Sequence, residues 1–222
     1  MFNKRINVFM GHYGSGKTFN AVNYAIALKK FSDKVSIYDL DIVNPYYRTV
    51  DALKMLEDKG VELIVSPYAE TNVDIPAMNS GSYKMLNKES GFAVLDIGGD
   101  DRGALALGRF NEGIKKENDY EVFFVVNCFR PETRTIEDAI QIKHEIETSA
   151  KLNFTAIVNN ANLGNETTIE HIEKGYEFCK ELSDVTKLPI KFTSVREDLI
   201  NEKLIEKFEN LLPLSPIKYG DW

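Results

Sequence analysis

Gly11-His12-Tyr13-Gly14-Ser15-Gly16-Lys17-Thr18 fits the pattern G-x-x-x-x-G-K-[ST], and its flanks are those the pattern requires. The β-rich run Ile6–Met10 leads straight into it, and Ala21, Val22, Ala25 and Leu28 follow at helical spacing. The chemistry accounts for the spacing. Glycines let the backbone turn so that successive N–H groups point inward at phosphate oxygens. The helix N-terminus behind them adds positive potential. Lys17 is placed to reach β- and γ-phosphates, and the Thr18 hydroxyl to ligate Mg²⁺. Gly11, His12, Tyr13, Gly14, Ser15, Gly16, Lys17, Thr18 and the adjoining Phe19 are therefore the expected phosphate-binding set.

Working outward, short apolar runs rich in β-branched and aromatic residues recur at Val35–Tyr38, Leu63–Val65, Phe92–Leu95, Val122–Val126, Phe154–Val158 and Ile190–Phe192. Several are nearly continuous rather than alternating, as strands covered on both faces should be. Helical stripes lie between most of them. Ile136, Ala139, Ile140, Ile146 and Ala150 share one face, as do Ile169, Ile172, Tyr176, Cys179 and Leu182. Leu204, Ile205, Phe208 and Leu212 read as a last stripe. This alternation predicts one α/β domain over residues 1–222, a three-layer arrangement with a mostly parallel central sheet and helices on both faces.

The 222 residues are 43% hydrophobic and 27% charged, enough apolar material for one sizeable core. A formal charge of −7 argues against nucleic acid or an anionic membrane as partner, since both select basic surfaces. It leaves room for one phosphorylated small molecule in a compact local site. Cys128 and Cys179 are too far apart in sequence for a CxxC motif, which counts against a disulfide framework or a four-ligand metal site. No signal peptide or membrane-spanning run is read, so a cytoplasmic location is expected.

Two acidic signals follow where a phosphate site needs them. Asp39-Leu40-Asp41 closes the second strand, and Asp96-Ile97-Gly98-Gly99 closes the Phe92–Leu95 run as a D-x-x-G. A carboxylate at a strand's carboxyl end can hold Mg²⁺ through water, and Gly99 can offer its N–H to a γ-phosphate. Thr18, Asp39, Asp41 and Asp96 make up the expected metal environment.

The order GHYGSGKT, YDLDIVNP, LDIGG, IVNNAN resembles the MinD/ParA/CobQ-type (SIMIBI-class) branch of P-loop NTPases, over residues 3 to about 195. The resemblance implies that Asp41 orients the attacking water, with Lys17 the other catalytic group, and that Asp39 lies near the Mg²⁺ shell. It implies that Asn159, with Asn160 beside it, meets the adenine edge. Asn162 stands where a guanine reader carries Asp, and an amide is poorly matched to guanine's paired donors, so ATP is the expected nucleotide. Many members carry a lysine, where His12 stands, that reaches across a dimer interface. With His12 there, ATP alone is not expected to drive a tight sandwich dimer; a homodimer through another surface stays open.

Three functions fit: an ATP- and Mg²⁺-dependent switch ATPase acting on an unidentified protein partner, a small-molecule kinase or ligase-type synthetase, and a nucleotide sensor with negligible turnover. In the second, loop 67–82 with Asp74-Ile75-Pro76 would hold the acceptor. Asn44-Pro45-Tyr46-Tyr47-Arg48 would occupy a switch loop, and Asp100-Asp101-Arg102 would face solvent. Lys115-Lys116-Glu117-Asn118-Asp119 reads as a solvated face, and Thr135-Ile136-Glu137-Asp138 as a helix cap.

Overall fold

Short, nearly continuous apolar runs become strands with both faces covered. The computed structural model describes residues 1–41, 49–65, 84–87, 89, 91–99, 103 and 107–217. The expectations for Asn44–Arg48, for loop 67–82 and for Asp100-Asp101-Arg102 fall outside those residues. The strands are β1 (Ile6–Met10), β2 (Val35–Leu40), β3 (Glu62–Val65), β4 (Phe92–Ile97), β5 (Tyr120–Val126), β6 (Ala156–Asn159), β7 (Ile190–Arg196) and β8 (Leu211–Leu214). The helices are α1 (Lys17–Leu28), α2 (Leu53–Asp58), α3 (Asn111–Glu117), α4 (Ile136–Ala150), α5 (Ile169–Thr186) and α6 (Glu202–Lys207).

The strands form one sheet in the order β3-β2-β4-β1-β5-β6-β7-β8, and every neighbouring pair is parallel. The expected α/β architecture is the one observed. β1 lies inside the sheet, and β2 is reached by crossing over the place that β4 later fills. Loops that leave adjacent strands in opposite directions open a crevice at the carboxyl edge, where ligands of such sheets bind.

Each face of the sheet carries its own core. On one side Ala21, Val22, Ala25 and Leu28 of α1 pack against Phe9, Ile37, Val94, Phe123 and Val158. On the other, Ala139 and Ala150 of α4 and Cys179 and Leu182 of α5 cover Val8, Leu95, Phe124 and Ile157. Asn7, the polar break in the first apolar run, is buried, and the Tyr24 hydroxyl donates to its Oδ1 at 3.0 Å. Tyr24 is also the hub of an aromatic group with Phe2, Phe9, Phe123 and Phe192.

The structure corrects two expectations. Leu212 does not continue the last helix: α6 stops at Lys207, and Leu211–Leu214 pairs with β7 as the edge strand β8. Pro213 is the reason, because it cannot join a helix interior but is tolerated at a sheet edge. Leu212 and Leu214 turn inward while Pro213 is exposed, and Ile205 also faces solvent. Glu117 is not on a solvated face but forms a largely buried ion pair with Arg5 at 3.1 Å. Asp39 and Asp96 stand at the carboxyl ends of β2 and β4, as the sequence places them, each strand running two residues past its apolar stretch. Among the described residues no helix is long and apolar enough to cross a membrane.

Tyr24→Phe should cost about 1–2 kcal/mol, since it leaves the buried Asn7 oxygen without a donor. Urea unfolding of the two proteins measures this, and equal stability would contradict the pairing.

Candidate functional site

In the loop between β1 and α1 the carbonyls are taken up by donors from the loop itself and from elsewhere in the fold. His12 O accepts from Ser15 N at 3.1 Å and from Lys17 Nζ at 3.2 Å. Tyr13 O accepts from His12 Nδ1 at 3.1 Å, and Gly14 O from Arg130 Nε at 2.9 Å. Ser15 O takes the Asn160 amide at 2.6 Å, and Gly16 O takes the Asn20 amide at 2.9 Å. Every carbonyl from His12 to Gly16 thus has a donor. The backbone N–H groups of Tyr13, Gly14, Gly16 and Thr18 have no acceptor among the described residues. Successive N–H groups in such a loop make an anion-binding concavity. Gly16 has φ +90°, a left-handed conformation that glycine adopts without strain, and it starts α1 there.

Strand register brings the acids to this loop. Asp39 of β2 pairs with Asp96 of β4, which pairs in turn with Phe9 of β1, so both carboxylates stand on the α1 face. Asp96 is fully buried. Thr49 Oγ1 donates to its Oδ2 at 2.9 Å, while Oδ1 has no partner at hydrogen-bonding distance among the described residues. Burial pushes the Asp96 carboxyl up to about 6, and the Thr18 hydroxyl, the Lys17 charge and Thr49 hold back part of that rise. The Asp41 charge adds to it. Asp39 Oδ1 accepts from Asp41 N at 3.1 Å.

The turn after β4 closes the site. A Cβ at Gly99 would lie 2.8 Å from both Lys17 Nζ and Tyr13 N, so only glycine lets this backbone approach the loop. A Cβ at Gly98 would lie 3.0 Å from Asp41 Oδ1. Lys17, Thr18, Asp39, Asp41, Asp96 and Gly99 therefore converge, with Gly11 through Gly16 wrapped around them. Phe19 is half-buried among the apolar residues under α1.

The β6 loop is placed differently from its expected role. Asn159 is buried, and its amide donates to Ile172 O at 3.2 Å while its Oδ1 accepts from Ala161 N at 3.2 Å. Its polar groups thus hold the loop and α5 together. Asn160 braces Ser15, and its buried Oδ1 has no partner among the described residues. Asn162 Oδ1 accepts from Gly164 N at 2.6 Å, closing its own turn. His12 reaches Glu132 at 3.8 Å, at the other side of the loop.

Two contributors escaped the sequence reading: Thr49 and the bracing amide of Asn20. The contacts of Thr49, Asn127 and Arg130 run across long separations that no local spacing reveals. Asn127 ties the β5 loop to the β6 loop by donating to Asn162 O at 2.8 Å. Cys128 and Cys179 are free and buried, and burial pushes both thiols upward.

Among the described residues no three His, Cys, Asp or Glu side chains form a metal cage. Mg²⁺ does not need one, since it commonly takes one or two carboxylates plus substrate phosphates and water. The unpartnered Asp96 oxygen beside the Thr18 hydroxyl suits that ion. The open cavity of about 310 Å³ lined by Lys4, Arg5, Gly91 and Asp119 lies at the opposite sheet edge. Its Arg5 is already committed to Glu117 and to Met85 O, so it is not the phosphate site.

No protein-family model matches the chain, and no curated protein does. Solved structures do. Cell division protein FtsY from Thermotoga maritima is 18% identical with a TM-score of 0.57, covering 86% of this chain and 62% of that one. Signal recognition particle receptor FtsY from Elizabethkingia anophelis is 15% identical with a TM-score of 0.53, covering 98% and 64%. FtsY from Mycoplasma mycoides is 18% identical with a TM-score of 0.52, covering 86% and 60%. The fold is that of a P-loop NTPase. At these identities the likeness speaks for the fold alone, and this chain spans about three-fifths of the length of those structures.

The Asp96 carboxyl at the heart of this P-loop fold carries a pH signature. Its folded value lies above the ordinary 3.8, so its contribution to stability is fully present below 3.8 and is lost as pH rises through about 6. Asp96→Asn should gain on wild type across that window by on the order of 3 kcal/mol in nucleotide-free protein. Unfolding measured on both sides of the window tests this, and a pH-independent difference would contradict it.

Proposed function

We propose that the chain binds ATP with Mg²⁺ in this loop and hydrolyses it as a nucleotide-dependent switch. The observation that carries the reading is the convergence of Lys17, Thr18, Asp96, Asp41 and Gly99 on a loop whose carbonyls from His12 to Gly16 all have donors. In this reading the N–H groups of Tyr13, Gly14, Gly16 and Thr18 bind the phosphates, and Lys17 neutralises the outer ones. Its present contact with His12 O holds the ammonium over the loop in readiness. Thr18 and Asp96 would hold Mg²⁺, with Asp39 beside them. Bound there, the ion would neutralise phosphate charge.

Asp41 orients the attacking water. It is buried, packs against Gly98, and is aligned by the bond between its own N–H and Asp39. Positioning and charge neutralisation are what phosphoryl transfer chiefly needs. Adenine preference follows from Asn162, whose oxygen closes its own turn and which lacks the carboxylate that guanine's paired donors select. Asn160, with its open Oδ1, is better placed than Asn159 to meet a ligand beside the loop. A protein partner or a small-molecule acceptor would couple the cycle to an output, in a cytoplasmic setting.

Lys17→Ala should lose most of its ATP affinity by calorimetry, and unchanged affinity would overturn the site. Asp41→Ala should keep ATP binding and lose roughly 10²-fold in turnover. Wild-type turnover in that variant would remove Asp41 from the mechanism, and turnover only with an added acceptor would favour the synthetase reading. In competition, a tenfold preference for GTP, about 1.4 kcal/mol, would reverse the base assignment.

A further inference from the structure

Arg130 sits where none of the loop's own residues explains it. It is exposed, follows Cys128-Phe129 after β5, and lies beside the phosphate loop across 116 residues of sequence. Only Nε is used, in the bond to Gly14 O at 2.9 Å, and the guanidinium carbon would lie 3.4 Å from a Cβ at Gly14. Its two terminal nitrogens have no carboxylate or carbonyl partner among the described residues. An arginine that only braced a loop would be expected to commit its fork to a carboxylate nearby. Glu132, two residues on, is turned to His12 instead.

The segment that carries Arg130 is held firmly. Arg130 N donates to Asn127 O at 3.0 Å, and Thr133 N donates back to Arg130 O at 3.1 Å. Thr133 Oγ1 also donates to Asn127 O at 2.7 Å. Asn127 Oδ1 accepts from Phe129 N at 3.1 Å, and its amide is anchored on the β6 loop. Pro131 fixes the next φ and biases Arg130 to the extended backbone it has, φ −85° and ψ 140°. A charge on a segment so tied is preorganised rather than recruited by loop closure.

From this we infer that Arg130 is a catalytic residue supplied in cis, whose free guanidinium nitrogens contact the nucleotide's phosphates as hydrolysis proceeds. The inference rests on the triphosphatase reading above. In the step, water adds to the γ-phosphorus while the bond to the β–γ bridging oxygen breaks. The electron pair leaves on the diphosphate, and the water's proton passes to Asp41 and then to the released phosphate. Negative charge grows on the bridging and β-phosphate oxygens, which in this reading lie against the loop that includes Gly14. A guanidinium there is worth most in the transition state, which is how arginines accelerate this chemistry. The role answers the histidine at position 12: an imidazole cannot serve as a permanent cation, and Arg130 brings one to the same loop from within the chain.

The test compares wild type, Arg130→Ala and Arg130→Lys. Each is titrated with ADP·Mg²⁺ alone and with ADP·Mg²⁺ plus aluminium fluoride, and each is assayed for turnover. Arg130→Ala should lose a little ADP affinity with its bond to Gly14 O, and at least 10²-fold in turnover together with the extra tightness that aluminium fluoride confers. Free guanidinium should restore part of the turnover in Arg130→Ala without raising its ADP affinity, which a restored brace would also raise, and Arg130→Lys should stay impaired because it lacks the fork. Wild-type turnover in Arg130→Ala, or a loss of ADP affinity as large as the loss of turnover, overturns the inference and leaves the triphosphatase reading standing. A wild type that binds no nucleotide overturns both.

Discussion

The site depends on a single backbone constraint: between His12 and Gly16 every carbonyl is bonded to a donor. Carbonyl dipoles would be costly to hold in a small loop unless each found a donor. The donors come from everywhere in the fold. Lys17 and Asn20 reach back from α1, Asn160 comes from the end of β6, and Arg130 from the end of β5. The sheet order makes this supply available, because β5 lies beside β1 and β6 beside β5. A phosphate cradle is in this sense a product of the whole sheet edge, although its motif is eight residues long.

Charge follows the same logic. The chain is acidic as a whole, and the site itself gathers Asp39, Asp41 and Asp96 within one corner. Those carboxylates are tolerated because Lys17 and the hydroxyls of Thr18 and Thr49 stand among them, and the compensation is incomplete. Asp96 is left far above the ordinary carboxylate range. A buried acid held in this state is a strained ground state that a cation relieves. In the proposed nucleotide complex a cation beside Asp96 would offset part of that cost.

Much of this was legible in the sequence. The loop motif, its strand and its helix are local, so spacing alone located Gly11 to Thr18. The parallel sheet followed from continuous apolar runs alternating with helical stripes, and the acids of β2 and β4 from their position at the ends of those runs. What was not legible has physical causes. Asn7 looked like an interruption because its partner, the Tyr24 hydroxyl, lies one helix away. β8 was hidden by Pro213, whose meaning depends on being at the sheet edge, and α2 and α3 are too short to show a period. Asn159 is the base contact that the resemblance implies, whereas its amide is bonded to Ile172 O and its oxygen to Ala161 N, and the Asn160 amide braces Ser15 across 145 residues. Arg130 and Asn127 matter only through contacts of the same long-range kind.

Amide hydrogen exchange with and without ATP·Mg²⁺ tests the central claim most directly, because it reads the loop's N–H groups themselves. Slowed exchange concentrated in residues 12–18 and at Gly98 and Gly99 is the result expected of a phosphate cradle at the carboxyl edge of the sheet. Unchanged exchange at those amides under saturating ATP·Mg²⁺, or protection confined to the opposite edge around Lys4, Arg5 and Gly91, would contradict it.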